Sequence, residues 1–192
     1  MPNKVLLDEQ NGTPVQVCFR DVTDFSPTAA NDLRVGSPTL VQLNLEGVTN
    51  TSYRQSTKVD LGAIRAPAYA VRGAFEIAAT PVAGETIALY WAPSGSATAA
   101  TANAANVSGS DSAYTGYSSN ADASVRQLDL IGVGVVTAQA TPTIQVIEFI
   151  GMLYPKERYG SLVLKNDSDA TFFATDAAEF HIVLDPVYEE IQ

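Results

Sequence analysis

Residues 69–92 read YAVRGAFEIAATPVAGETIALYWA, and their alternation decides the class of fold. Tyr69, Val71, Gly73, Phe75 and Ile77 fall on one side of an extended chain, and Ala70, Arg72, Ala74, Glu76 and Ala78 on the other. A period of two belongs to a half-buried strand, because successive side chains on a pleated backbone point opposite ways. Residues 80–84 then supply a Pro/Gly turn. The strand over 86–92 follows, with Ile87, Leu89 and Trp91 as its inner face.

The same pattern recurs on both sides of this pair. Over 39–46, Val41, Leu43 and Leu45 alternate with Gln42, Asn44 and Glu46, and 47–52 form a turn. Residues 53–61 are more polar, with Arg54, Gln55, Ser56 and Lys58, which predicts an edge or solvent-facing strand protected by charge. Towards the C-terminus, 127–138 and 144–153 are apolar in both phases, the pattern of strands buried on two sides, with Thr141 and Pro142 turning the chain between them. Leu162 and Leu164 mark a strand over 159–165, closed by the turn formers Asn166 to Asp169, and 171–174 make a short strand at best. Phe180, Ile182 and Leu184 mark the last strand, ended by Pro186 and followed by an exposed acidic tail at Glu189 and Glu190.

About nine strands with short connections and no strand–helix alternation predict an all-β fold: an antiparallel β-sandwich, jelly-roll-like, in a single domain over 1–192. Residues 1–14 are read as an extended arm, too short and too acidic at Asp8 and Glu9 for a signal peptide. Residues 94–124 break the pattern. They are rich in Ala, Ser and Thr, contain no Lys or Arg, and have Tyr114 and Tyr117 as their only large side chains. A loop of this length is usually functional or disordered, and this one is too poor in apolar surface to order alone.

Charged residues make up only 17% of the chain, so its surface must be finished with Ser, Thr, Asn, Gln and Ala, a finish suited to contact with protein. The formal charge of −10 opposes a phosphate backbone or an anionic membrane, so no direct nucleic-acid or membrane partner is expected. No segment approaches the roughly 20 apolar residues that span a bilayer. Cys18 is the only cysteine and reads as a small buried residue.

Catalytic machinery is hard to assemble from these residues. His181 is the only histidine, reads as a surface or sandwich-edge residue, and has no nucleophile motif to serve. Asn166, Asp167, Ser168 and Asp169 offer oxygens at alternate spacing but lack the Gly and distal Glu of a calcium loop, so a hairpin turn explains them. Trp91 falls in phase with the core rather than on a sugar platform. No catalytic residue, cofactor or metal is expected, and a hydrolase ranks last among the readings.

Residues Leu128 to Gly132, then Tyr154, Pro155, Arg158, Tyr159, Gly160, Ser161, Leu162 and Val163, carry a resemblance to small β-rich virion proteins of tailed bacteriophages, extending over roughly 88–192. That resemblance implies a capsid decoration or cement protein, made in the host bacterial cytoplasm and carried on the capsid surface. It also implies the major capsid protein lattice as partner and a homo-oligomer, a trimer by preference. Tyr154, Arg158 and Tyr159, with Tyr114 and Tyr117 of the long loop, are the candidate interface residues, since aromatic and Arg side chains are enriched at binding hot spots. The 154–159 group reads equally as a strand-ending loop with its tyrosines packed beneath. The alternative function is a receptor- or glycan-binding head or tail fibre module, with 94–124 as its recognition loop.

Overall fold

The computed structural model describes residues 14–139, 143–172 and 178–188. The expected arm up to residue 13, the turn at Thr141 and Pro142, the end of the short strand over 171–174 and the tail at Glu189 and Glu190 lie outside the described residues. Eleven strands form one mixed sheet: β1 (Val17–Arg20), β2 (Thr39–Gln42), β3 (Tyr53–Gln55), β4 (Val59–Asp60), β5 (Ala68–Ile77), β6 (Thr86–Ser94), β7 (Ser112–Ala113), β8 (Asp129–Val135), β9 (Thr143–Leu153), β10 (Tyr159–Asp167) and β11 (His181–Val187). The all-β expectation holds. One α-helical turn, α1 (Ala121–Ser124), interrupts the long loop.

The pairings are nested. Leaving aside the short β2, β4 and β7, the first strand pairs with the last (β1 with β11), then β3 with β10, β5 with β9 and β6 with β8, all antiparallel. Among the described residues only β2 runs parallel to its neighbour, β1. The sheet order is β2-β1-β11-β5-β9-β8-β6-β10-β3-β7, with β4 beside β10.

Between β9 and β8 the sheet narrows to a single register pair, Gly132 opposite Gly151. A Cβ on Gly132 would stand 2.0 Å from the Ile150 carbonyl oxygen, and one on Gly151 2.1 Å from that of Ile131. Only glycine permits so close a backbone approach. Across this seam the two halves of the sheet face each other. Phe19, Val71, Phe75, Ile182 and Leu184 from one half share a continuous core with Ile87, Leu89, Trp91, Leu162 and Leu164 from the other. At the far side the ends of the sheet meet, where the Thr57 N–H donates to the Gln42 carbonyl at 2.9 Å. Asp111 ties that junction: it accepts from Gln42 Nε2 and the Asn44 N–H, each at 3.1 Å, and from Arg54 Nε at 2.8 Å.

Each outer face has its own cover. Leu33 packs with Cys18, Ala74 and Val183 over the β1-β11-β5 face. Over β3, β6 and β10 the long loop and the turn that follows it lay Ala105, Val107, Tyr114, Val125 and Leu128 against Tyr53, Ala92 and Val163. The loop is therefore ordered on the sheet, although its own apolar content is low. Its missing cation comes from Lys58, whose Nζ donates to Ser94 Oγ (2.8 Å) and to the carbonyls of Ser96 (3.0 Å), Thr98 (2.7 Å) and Thr101 (2.9 Å).

Two strand expectations need correction. The edge strand expected over 53–61 is split into β3 and β4, because the Ser56 hydroxyl takes the Leu162 N–H at 3.0 Å and turns the chain off the ladder. The stretches over 127–138 and 144–153 are not covered on both faces: Ile131, Val136 and Ile150 enter the core, whereas Leu130, Val133, Val135 and Phe149 face outward and are exposed.

Candidate partner-binding face

The outward side of the seam carries an apolar strip. Leu130, Val133 and Val135 of β8 and Phe149 of β9 are 44–62% exposed, and Tyr154, just beyond β9, is 67% exposed. Leu130, Met152 and Tyr154 line one hollow of about 200 Å³ with Asp129 and Lys156 at its edge. The backbone explains why these side chains point away from the core. A bulge opposite Arg72 puts three residues of β9, Glu148 to Ile150, against one of β5, and a second irregularity lies where β8 meets β6. Bulges of this kind re-aim side chains at the places where a sheet bends. Contiguous exposed apolar surface on a folded domain marks a contact site.

The strip ends at the β9–β10 connection, where three cationic side chains make contacts to neighbouring segments. Arg158 grips Asp60 through both arms of its guanidinium, Nε at 2.7 Å and an Nη at 2.6 Å, and lies 5.1 Å from the Tyr159 ring centre. That hydrogen-bonded guanidinium holds the Asp60 carboxyl below its ordinary range. Lys156 reaches Asp129 at 2.6 Å, and Arg65 donates to the carbonyls of Pro155 (3.4 Å) and Lys156 (3.1 Å).

Of the five candidate interface residues, Tyr154, Arg158 and Tyr159 come together on this connection. Tyr117 is half exposed on the long loop over the β3, β6 and β10 face. Tyr114 is a correction: it is buried, its hydroxyl donates to the Ala105 carbonyl at 2.9 Å, and its ring packs edge-on against Tyr53, so it anchors the loop from below. Sequence reasoning missed Leu130, Val133, Val135 and Phe149. Their signal was the two-phase apolar run itself, which a doubly buried strand and a strand with an exposed apolar face share.

The remaining chemistry-bearing side chains are structural. His181 is fully buried rather than at the surface. Its Nε2 accepts the Leu33 N–H at 2.9 Å, so the ring proton sits on Nδ1 and is donated to the Glu179 carbonyl at 2.8 Å. With both nitrogens engaged, the ring has no lone pair to offer a substrate. Burial pushes the Cys18 thiol up to about 12, far from a nucleophile's range. Trp91 lies in the core over Gly160, where a Cβ would fall 2.2 Å from its ring. Asn166 is buried and binds the carbonyls of Val48 and Ala170 while its Oδ1 takes the Ser168 N–H and hydroxyl, which makes the 166–169 segment a hydrogen-bonded turn. Among the described residues no helix is long and apolar enough to cross a membrane. No known family model matches the chain, and no curated protein is similar to it in sequence.

Proposed function

We propose that this protein is a non-catalytic structural component of a bacteriophage particle: a decoration protein that docks on the assembled head shell through the β8–β9 face. The observation that carries the reading is the exposed apolar strip from Val135 to Tyr154, set on paired backbone and bordered by the pinned Asp60–Arg158 and Asp129–Lys156 ion pairs. An apolar centre with a polar rim is how protein–protein contacts are built. The nested strand pairing supports it as well. First-with-last pairing of eight antiparallel strands is the arrangement of a jelly roll, an architecture common in viral capsids. A trimer, as the sequence resemblance implies, would present several such strips to a repeating lattice, and modest single contacts would then add up to stable occupancy.

The rival reading is a receptor- or glycan-binding fibre module with 94–124 as its recognition loop. That segment lies packed on the sheet and held by Lys58, which favours the docking reading. The test is to add purified protein to expanded shells that lack it. Co-sedimentation at micromolar concentration and a raised shell melting temperature are expected. Phe149→Ser and Leu130→Asp, both outward facing, should reduce occupancy at least about tenfold while leaving the protein's own melting temperature nearly unchanged. Wild-type protein that fails to bind would remove the proposal, as would full occupancy by both variants.

A further inference from the structure

The segment 25–36 covers the outer face of β1 and β11 and is plugged into it by one side chain. Leu33 is the only buried residue of that segment, and it packs on Cys18, Ala74 and Val183. The other fastenings are polar. Gln16 holds the segment twice, its Nε2 donating to the Leu33 carbonyl at 3.0 Å and its Oε1 accepting the Val35 N–H at 2.9 Å. The Ser26 N–H donates to the Ala178 carbonyl at 2.8 Å, and the Thr28 N–H to the Glu179 carboxylate at 3.0 Å. Beneath the cover, the Leu33 N–H donates to His181 Nε2 at 2.9 Å.

That last bond exists only while the imidazole is neutral. Nδ1 already gives its proton to the Glu179 carbonyl, so a second proton can enter only at Nε2, where it would point at the Leu33 N–H. Donor would then face donor in a fully buried site, with the new charge cut off from water. Charged and titratable groups surround the ring on every side. Asp32 and Arg34 belong to the cover and Glu179 precedes β11. Arg20 lies opposite His181 on β1, with Cys18 two residues before it, and Arg72 and Glu76 flank the opposed Ala74 on β5. Both ring nitrogens are nevertheless held by backbone groups rather than by a carboxylate.

We propose that 25–36 is an acid-released cover: protonation of His181 at Nε2 breaks its bond to Leu33, lifts the segment and bares Cys18 and Val183, while the sheet beneath stays paired. Burial lowers the pKa of the ring in the closed state, which agrees with this direction. The closed state refuses a proton that the open state, near the ordinary 6.5, accepts. Above that value closure is independent of pH. Below it, one proton is taken up per opening, so each unit of acidification raises the open fraction about tenfold until the lowered closed-state value is reached. The device needs no shell and does not rest on the docking reading.

Native-state hydrogen exchange on the intact protein between about pH 8 and pH 5, corrected for the intrinsic pH dependence of exchange, reads the opening directly. Protection of the Leu33 and Val35 amides should hold steady down to about pH 7 and then fall up to about tenfold per unit, while the β5–β9 ladder keeps its protection. Cys18 is the only cysteine, so its rate with dithiodipyridine, taken relative to free cysteine, should rise over the same range. His181→Gln, which keeps one acceptor and one donor, should leave the segment closed throughout. Protection and thiol rate that stay flat in the wild type would overturn the proposal, as would a loss shared by the β5–β9 ladder or an unchanged pH dependence in His181→Gln. Should that variant not fold, the wild type still decides: His181 is the only histidine, its imidazole NMR signals are unambiguous, and a titration midpoint at or above 6.5 removes the proton linkage.

Discussion

His181 sits on the outward phase of β11, opposite Ala74 and beside the buried Val183, and is sealed by the 25–36 segment through Leu33 and the edge-on Phe25 ring at 5.2 Å. Burial lowers its pKa from the ordinary 6.5; Asp32 and the Glu179 carbonyl work against that shift and Arg34 with it. The unfolded chain therefore binds a proton that the folded chain refuses. Stability is complete above the unfolded value and is lost as pH falls from there towards the lowered folded value. Melting temperature should decline between about pH 7 and pH 5, ahead of Asp32, which its Arg34 hydrogen bond holds below the usual carboxylate range. His181→Gln, which can still accept from Leu33 and donate to Glu179, should flatten that decline, and an unchanged slope would refute the assignment. Alternation correctly placed His181 away from the core, but only a cover distant in sequence turns that face inward. Cys18 was easier, since its setting between the apolar Val17 and Phe19 already read as buried, although the strand β1 that carries it was not foreseen.

The long loop shows how an element can be legible in composition and illegible in conformation. Small residues and the absence of Lys and Arg identified 94–124 as loop, yet it is held by Lys58, 36 residues before Ser94. Three backbone carbonyls and a hydroxyl converge on one ammonium, an arrangement that only the charged amine satisfies. Lys58→Met keeps the stem and removes the charge, leaving those carbonyls without their shared donor. The expected cost is about 2 kcal/mol. Faster hydrogen exchange and proteolysis should be confined to roughly 95–111, while the β5–β9 and β6–β10 ladders keep their protection. No local change would show that the Tyr114 anchor orders the loop without Lys58, and global loosening would show that Lys58 supports the whole fold rather than the loop.

At the scale of the whole molecule the seam governs. Two halves of one sheet are joined by a single glycine pair, and their closure at Gln42, Arg54 and Asp111 leaves the β8–β9 face turned outward. Gly151→Ala should destabilise the fold by about 3 kcal/mol, because the new methyl meets backbone rather than a side chain able to move. A denaturation midpoint within error of wild type would contradict so tight a crossing. The sequence also held both seam glycines, but a glycine within a strand pattern announces only that some close approach occurs, not which backbone approaches.

By itself, the sequence determined the all-β class, the inner faces of β5, β6 and β11 and the burial of Cys18 and Trp91. All of these follow from side-chain period and composition, which are local. Only the tertiary structure decided which outward faces are covered and which remain bare. Leu130 and Val183 have the same apolar character along the chain, yet one is exposed and the other sealed. What separates them is whether a distant segment returns to lie over that strand, and long-range packing of that kind leaves no mark in the period of the strand it covers.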